Sequence, residues 1–270
     1  MGANYLCDRG STHILFQRDI LQEEYEALGL SAPSFDQRIV EREIEEYDQA
    51  DAILVPSEFV RRSFVSRGIP ETKLIKIPYG SNLKMFYPSD ERNNASFDIL
   101  FVGALSVRKG LLYLFQAFEK LKAKNKTLTL IGAPTSDLEI LTPFIPRENV
   151  RFLGVVPQPK LRYHMSKAHV LVVPSIEEGL ALVMGEALAC GCPVLATRNT
   201  GAEDLFHDGE EGLIIDARDS TALTEALAKL HSDPKLHRRM SQQARKRIET
   251  LGGWSEYGAK IMDALKALQR

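Results

Sequence analysis

The sequence predicts an α/β protein with two domains, each built on a parallel sheet of the Rossmann-like kind. Apolar runs of strand length alternate with helix-period segments along nearly the whole chain, which is typical of parallel strands joined by helices that cover both faces of a sheet. Residues 81–95 (SNLKMFYPSDERNNA) are polar and lack a period, so they are expected to be a linker between two series of elements. We therefore expect domains over residues 1–88 and 89–252, followed by a separate helical segment over residues 253–270.

The first series combines short strands with largely polar helices. Strands are expected at residues 2–8, 52–55 and 73–77, and helices at residues 17–28, 36–49 and 57–67. Ser57 is suited to cap the third helix, with Glu58 in its first turn, and Gly68 ends it. The alternation of these elements favours parallel pairing of the strands.

The second series continues the same alternation over a longer stretch. Strands are expected at residues 98–102, 127–131, 150–153, 169–173, 194–196 and 211–215. Helices are expected at residues 111–123, 160–168, 182–189, 220–231, 234–250 and 255–268. The helix at 111–123 carries one apolar stripe and is expected to pack on the sheet. Ser220 is suited to cap the helix that it begins.

Composition excludes several classes of protein. The chain has 270 residues, 44% of them hydrophobic and 26% charged, with a formal net charge of -2, so nothing favours nucleic acid as a partner. Cys7, Cys190 and Cys192 are odd in number and form no disulfide framework. No apolar run approaches the roughly 18 residues of a membrane span, and residues 1–10 lack the apolar core of a signal peptide. We expect a cytoplasmic protein.

Special residues follow several of the predicted strands. Gly103 and Gly110 bracket Arg108 and Lys109 at the start of a helix, where backbone N–H groups, the helix dipole and cations suit a diphosphate. The alternative is a turn with a solvated Arg-Lys pair. Gly132 follows the next strand, and Gly154-Val155 the one after it. Small residues there allow a flat base to approach the backbone, although glycines after strands are common.

Residues 169–196 contain strand, loop, helix and strand in succession. Glu178 lies in the loop, and Glu186 lies within an otherwise apolar helix. A carboxylate in such a helix is unfavourable unless it has a partner or a ligand. The alternative is an acidic loop followed by a solvated helix residue, but that leaves Glu186 unexplained. Because open α/β sheets bind ligands at the carboxyl ends of their strands, this loop is the main candidate site.

These segments carry a resemblance to a known family. PSIEEGLALVMGEALACGCPV at residues 174–194, together with PYG at 78–80, FVGALSVRKG at 101–110 and LGVVP at 153–157, resembles the donor-site signature of retaining glycosyltransferases of family four, which have the GT-B fold. The resemblance implies two Rossmann-like domains with the last helix crossing back to the first domain. It also implies transfer of a hexose from a nucleoside diphosphate sugar, UDP- or GDP-sugar favoured, to a saccharide or lipid-linked acceptor.

The resemblance assigns a role to each candidate residue. It implies that Arg108 and Lys109 bind the diphosphate beside Gly103, and that Glu178 contacts the transferred sugar near its reacting carbon. Glu186 then holds the ribose hydroxyls. The base lies near Gly132 and Val155, and backbone N–H groups of Gly179, Leu180, Ala181 and Leu182 lie alongside the sugar. No cofactor or metal is implied, and no Asp-x-Asp sequence occurs, which argues against the metal-dependent class.

Two departures from the family pattern keep other functions open. Ala104 occupies a position where the family often has arginine, so Arg108 is expected to supply that charge. The usual opening strand and glycine-rich loop have no counterpart in residues 1–88. A non-catalytic nucleotide-sugar-binding remnant, or a half-enzyme that needs a partner, is therefore the main alternative to a transferase, and a GT-B nucleotide-sugar epimerase is a further one.

The remaining candidates lie outside the donor site. The turn with Arg9, Ser11 and His13 is expected to face the cleft between the domains, with His13 as a proton carrier or sugar contact; a helix cap by Ser11 or Thr12 explains the turn equally well. The other five histidines lack the spacing of metal ligands. A basic cluster within residues 238–247 is interpreted either as a solvated helix face or as a peripheral membrane contact.

Overall fold

The computed structural model describes residues 5–89 and 95–268. In chain order the first part contains β1 (Leu6–Asp8), α1 (Ile14–Ala27), α2 (Gln37–Gln49), β2 (Ala52–Val55), α3 (Glu58–Val65) and β3 (Leu74–Lys76). The second part contains β4 (Phe97–Val102), α4 (Leu111–Lys120), β5 (Lys126–Ile131), α5 (Leu138–Leu141), β6 (Val150–Phe152), α6 (Gln158–Lys167), β7 (Val170–Val173), α7 (Leu182–Ala189), β8 (Val194–Thr197), α8 (Ala202–Leu205), β9 (Gly212–Ile215), α9 (Ser220–Ser232), α10 (Pro234–Leu251) and α11 (Trp254–Leu268).

The strands form two sheets, and within each sheet all neighbouring strands pair in parallel. The smaller sheet has the order β1-β2-β3, and the larger one has the order β6-β5-β4-β7-β8-β9. From β4 the chain first builds outward through β5 and β6, and then returns to the other side of β4 with β7. The crevice between the loops after β4 and β7 is therefore the topological switch point of the larger sheet. The predicted α/β class with two parallel sheets is confirmed.

Local sequence signals explain where several helices begin. Asp36 caps α2 by accepting the backbone N–H of Arg38, and Ser57 caps α3 by accepting that of Val60. For α9 the predicted cap was wrong: Asp219, one residue before Ser220, accepts two backbone N–H groups. A carboxylate at the N-terminus also interacts favourably with the helix dipole.

The core follows the predicted apolar stripes. Leu111, Leu114, Phe115 and Phe118 of α4 are all at most 1% exposed and pack in one cluster with residues of β4, β5, β7 and α9. A second cluster lies on the opposite face of the larger sheet under α7 and α10. The larger sheet is thus covered on both faces, which fits the continuous apolar character of β7 and β8.

The described part of the expected linker is packed against the domain that follows it. Phe86 is fully buried, and its carbonyl accepts a hydrogen bond from Nη1 of Arg245 at 3.0 Å. Leu83 and Met85 are partly buried against the same core cluster as Phe86, so apolar packing fixes this segment although most of its residues are polar. Residues 90–94 of this stretch, and residues 2–4 of the first expected strand, lie outside the described residues.

The chain returns to its first part at the start of α11, as the predicted fold requires. Ser81 and Gly253 form an isolated parallel bridge, and a Cβ added at Gly80 would lie 2.2 Å from the Gly253 oxygen. The ring of Tyr79 lies 6.1 Å from that of Trp254 and 5.6 Å from that of Tyr257. No residue of the described α11 is fully buried, but Ile261, Ala264 and Leu265 are half-buried on one side of the helix.

Candidate functional site

A cavity of about 450 Å³ lies at the switch point of the larger sheet. It is lined by Gly10, Ser11, residues 101–104, Arg108, Lys109, Val173, Ser175 and residues 178–183. The loops after β4 and β7 form its walls, and the turn after β1 closes one side. The structure therefore brings together Gly103, Arg108, Lys109, Glu178, Gly179, Leu180, Ala181 and Leu182, which sequence reasoning had selected separately.

The loop after β4 is held by glycines that permit close backbone contact. Gly110 has φ +69°, and a Cβ added to it would lie 1.9 Å from the carbonyl oxygen of Pro174. A Cβ added at Gly132 would lie 1.8 Å from the Gly103 oxygen. The backbone N–H of Ile176 donates to the carbonyl of Arg108 at 2.9 Å. The two loops around the cavity are thus in direct main-chain contact. A side chain at Gly110 would push apart the loops after β4 and β7, and one at Gly132 would push apart the loops after β4 and β5.

Arg108 and Lys109 each pair with one of two consecutive glutamates. Nε and Nη2 of Arg108 donate to Oε2 of Glu177 at 2.9 and 2.8 Å, and Lys109 forms an ion pair with Glu178. Burial, helped by the neighbouring Arg108 charge, lowers the pKa of Lys109 to about 8. The two cations expected to hold a diphosphate are therefore each paired with an adjacent carboxylate.

The loop after β7 leads into a helix whose N-terminus has no side-chain cap. Ala181 occupies the cap position of α7 and makes no side-chain hydrogen bond. Leu182 and Val183, the first two helical residues, line the cavity. The first N–H groups of a helix lack intrahelical partners and attract anions. This end of α7 therefore complements Arg108 and Lys109 as an anion-binding wall.

Glu186 lies one turn further along α7, on the same face as Leu182. Its side chain is partly buried, and burial raises its pKa to about 7. Within the described residues its carboxylate forms neither a hydrogen bond nor an ion pair. It does not line the cavity described above, so its expected contact with a ribose stays a prediction.

Glu177 is the site residue that sequence reasoning missed. Its side chain is fully buried and accepts hydrogen bonds from Thr12, Gln17 and Arg108. The only signal in the sequence was that two consecutive glutamates, Glu177 and Glu178, are equal in number and opposite in charge to Arg108 and Lys109. Its partners Thr12 and Gln17 are about 160 positions away, and nothing in a single sequence indicates such contacts.

His13 is placed differently from the prediction. It is 4% exposed, and its Nδ1 accepts the backbone N–H of Leu15, so His13 itself caps α1. Its ring packs against those of Tyr47 and Phe64 at 5.0 and 5.1 Å. Burial lowers its pKa to about 4, which keeps the ring neutral as a cap acceptor. The expectation that His13 faces the cleft as a proton carrier is wrong; Gly10 and Ser11 occupy that place.

Val155, expected beside the base, lies outside the cavity and is 76% exposed. Gly132 does not line the cavity either; its place is set by the close approach to Gly103. A second cavity, about 860 Å³, lies among Ser96, His169 and residues of α10. It is at the amino-terminal ends of the strands, where open α/β sheets do not bind their ligands.

Two other groups of charged residues bear on the predictions about metals and partners. His207, Glu210 and Glu211 offer ligand atoms within 4.8 Å of one another, a proximity that sequence spacing had not suggested. Glu211 there accepts the backbone N–H of His207 at 2.8 Å, so the group also closes a turn. In the basic cluster, Arg245 and Arg247 donate to backbone carbonyls, and peripheral membrane contact stays a prediction. No helix in residues 5–89 and 95–268 is long and apolar enough to cross a membrane.

Comparison with known proteins places this site in a family. The family model described as Glycosyl transferases group 1 matches residues 88–247, more than half of the chain. The chain belongs to this family. The GDP-mannose-dependent alpha-(1-6)-phosphatidylinositol monomannoside mannosyltransferase of Mycolicibacterium smegmatis is 26% identical over 81% of the chain and 63% of its own length. A D-inositol 3-phosphate glycosyltransferase of Paenarthrobacter aurescens is 29% identical over 70% of the chain and 50% of its own length.

Solved structures support the fold described above. Sucrose-phosphate synthase from Thermosynechococcus elongatus superposes with a TM-score of 0.83 at 24% identity. The match covers 99% of the chain and 68% of the length of the synthase. Anabaena HepE in complex with UDP and glucose superposes with a TM-score of 0.75 at 19% identity. The match covers 86% of the chain and 68% of the length of HepE. The chain thus spans about half to two thirds of the length of these four proteins.

Proposed function

We propose that the chain transfers a hexose from a nucleoside diphosphate sugar to a saccharide or lipid-linked acceptor, with retention of anomeric configuration. The observation that carries this proposal is the cavity at the switch point. Two cations, the uncapped N-terminus of α7 and the Glu178 carboxylate converge there. An anion-binding wall beside a buried carboxylate suits a diphosphate joined to a sugar.

The proposed chemistry assigns each group a separate task. The bond between the sugar and the phosphate breaks, and the acceptor oxygen attacks the same face of the anomeric carbon. The acceptor proton passes to the departing phosphate oxygen. Arg108, Lys109 and the α7 N–H groups stabilise the charge that develops on the diphosphate. Glu178 lies beside the electron-poor sugar carbon, while Glu186 holds the ribose and the exits near Gly132 and Val155 flank the base.

Relatives support a nucleotide-sugar donor but differ in its base. One is named as dependent on GDP-mannose, and HepE has been solved with UDP-glucose. We therefore propose a UDP- or GDP-sugar as the donor. We also propose a metal-independent reaction in the cytoplasm, which the lack of an Asp-x-Asp sequence and the odd number of cysteines favour.

The test combines binding with turnover. We expect one of UDP, GDP and ADP to raise the thermal unfolding midpoint of the wild type, and Lys109→Met to weaken its binding by about tenfold or more. Glu178→Ala is expected to keep or strengthen diphosphate binding, because it frees Lys109, but to lose at least about 10²-fold in transfer of labelled sugar. Glu45→Ala, on the exposed face of α2, is the control and should change neither. Product configuration is read by NMR.

Two outcomes would contradict parts of this proposal. Absence of binding by all three diphosphates would remove the donor site. Binding without any transfer or hydrolysis of the sugar would favour the second candidate, a nucleotide-sugar-binding chain or half-enzyme that needs a partner. That candidate is motivated by the coverage of the relatives, since the chain corresponds to only 63% and 50% of the two described above.

A further inference from the structure

Glu177 is a buried carboxylate that contacts three separate segments of the chain. Its Oε1 accepts the hydroxyl and the backbone N–H of Thr12 at 2.7 and 3.3 Å. Its Oε2 accepts Nε2 of Gln17 at 2.9 Å and two N–H groups of Arg108 at 2.9 and 2.8 Å. With 0% exposure, the carboxylate has exchanged its water for these partners. It is therefore closed to ligands and acts only through the residues it holds.

One of those residues lines the candidate donor cavity. Arg108 has a side chain 36% exposed, and its Nε also donates to the Glu177 backbone carbonyl at 3.2 Å. Its Nη1 forms no hydrogen bond with any described residue. A side-on pair with a carboxylate fixes the plane of a guanidinium. The position of the N–H groups that remain for a phosphate is thus set by Glu177.

The other two partners belong to the first part of the molecule. Thr12 follows Gly10 and Ser11, which line the same cavity, and Gln17 lies in α1. Neither residue has a hydrogen bond to Arg108, yet both share its anchor. Loss of one of their hydrogen bonds would leave the carboxylate with fewer restraints, so the guanidinium that it holds would also be less firmly placed for a diphosphate.

We propose that Glu177 is a positioning residue that holds Arg108 for the donor diphosphate and couples this arrangement to the docking of the turn at residues 10–12. The inference rests on the proposed function, because it requires a diphosphate beside Arg108. A purely structural Glu177 would join the two parts of the molecule and affect stability, but it would leave the diphosphate affinity of the folded protein unchanged.

A double-mutant cycle separates these roles. Titration calorimetry with UDP, GDP or ADP, whichever binds most tightly, is carried out on the wild type, Thr12→Val, Arg108→Ala and the double variant. We expect Thr12→Val to weaken binding by about fivefold in the wild-type background and by less than about 1.5-fold in the Arg108→Ala background. Thr12→Ser, which keeps the hydroxyl, should restore wild-type affinity.

The controls make each outcome decisive. Thr224→Val removes a hydroxyl hydrogen bond of the same 2.7 Å length within α9 and should not change affinity. Gln17→Leu, which acts on the other carboxylate oxygen, replaces Thr12→Val if the latter does not fold. Equal losses in both backgrounds, or no loss in either, would overturn the coupling while the donor site stands. A wild type that binds none of the three diphosphates would overturn the proposed function and this inference with it.

Discussion

Glu178 and Glu186 are eight positions apart, yet their surroundings differ. Glu178 pairs with Lys109 on the cavity wall, whereas Glu186 lies in the apolar side of α7 with no partner among the described residues. Desolvation favours the neutral form of an unpaired carboxyl group. At the residue scale, the sequence predicted that Glu186 is unusual because its neighbours are apolar. The burial of Glu177 could not be predicted, because its partners come from distant segments.

The raised pKa of Glu186 leads to a pH prediction. Its carboxyl is mostly protonated below about 7 and ionised above it. If the carboxylate accepts the ribose hydroxyls, its contribution to diphosphate affinity should fall as pH decreases from 8 to 6, approaching about tenfold per pH unit below the pKa. Calorimetry on the wild type and Glu186→Gln measures this contribution as the ratio of the two affinities, in which the titration of Lys109 near pH 8 cancels. A ratio that does not change with pH would exclude a role for Glu186.

At the scale of elements, the alternation of apolar runs predicted all nine strands of the described structure, with boundaries shifted by a few residues. Helix α1 begins at Ile14, three positions earlier than expected, because His13 caps it. The four-residue helices α5 and α8 were not predicted, since one turn is too short to show a period. Helix caps and apolar periodicity depend on neighbouring residues and can be predicted from the sequence. The packing of one loop on another depends on distant residues and cannot.

Loop packing gives the second prediction, at Gly110. Gly68→Ala and Gly110→Ala both place alanine at positive φ, +88° and +69°, which costs about 1 kcal/mol. Only at Gly110 does the added Cβ meet an atom, the Pro174 oxygen, whereas Gly68 has nothing within 4 Å. Urea unfolding should therefore show an additional loss of about 2 kcal/mol or more for Gly110→Ala. Equal losses would mean that the two loops separate freely.

At the scale of the whole molecule, an ion pair with a buried carboxylate joins the two parts of the chain. Glu24 of α1 is fully buried, and its carboxylate accepts Nε of Arg218 at 2.7 Å and the hydroxyl of Tyr113 at 3.0 Å. Both donors belong to the part of the chain that carries the larger sheet. The sequence showed Glu24 only as one member of a polar helix, because burial by another domain leaves no periodic signal.

Removal of the cation should therefore destabilise the whole protein. Arg218→Met leaves Glu24 buried without its counter-charge, and we expect the free energy of unfolding in urea to fall by about 2–3 kcal/mol. Arg38→Met is the matched control, since Arg38 pairs with Asp36 at the surface with its side chain 89% exposed; it should change stability by less than about 0.5 kcal/mol. Adding Glu24→Gln to Arg218→Met should recover part of the loss. A similar loss from both arginines would contradict the burial argument.

The pairing of Arg108 with Glu177 and of Lys109 with Glu178 also bears on how a donor arrives. Each cation is matched by a carboxylate at contact distance, so the four charges cancel when viewed from beyond a Debye length. The site therefore exerts little long-range attraction on anions, and electrostatic steering contributes little to the rate of encounter. Discrimination between a nucleoside diphosphate and other cellular anions takes place after contact, when the ligand competes with Glu178 for Lys109. We therefore expect selectivity to arise from differences in the dissociation rates of bound anions rather than in their association rates.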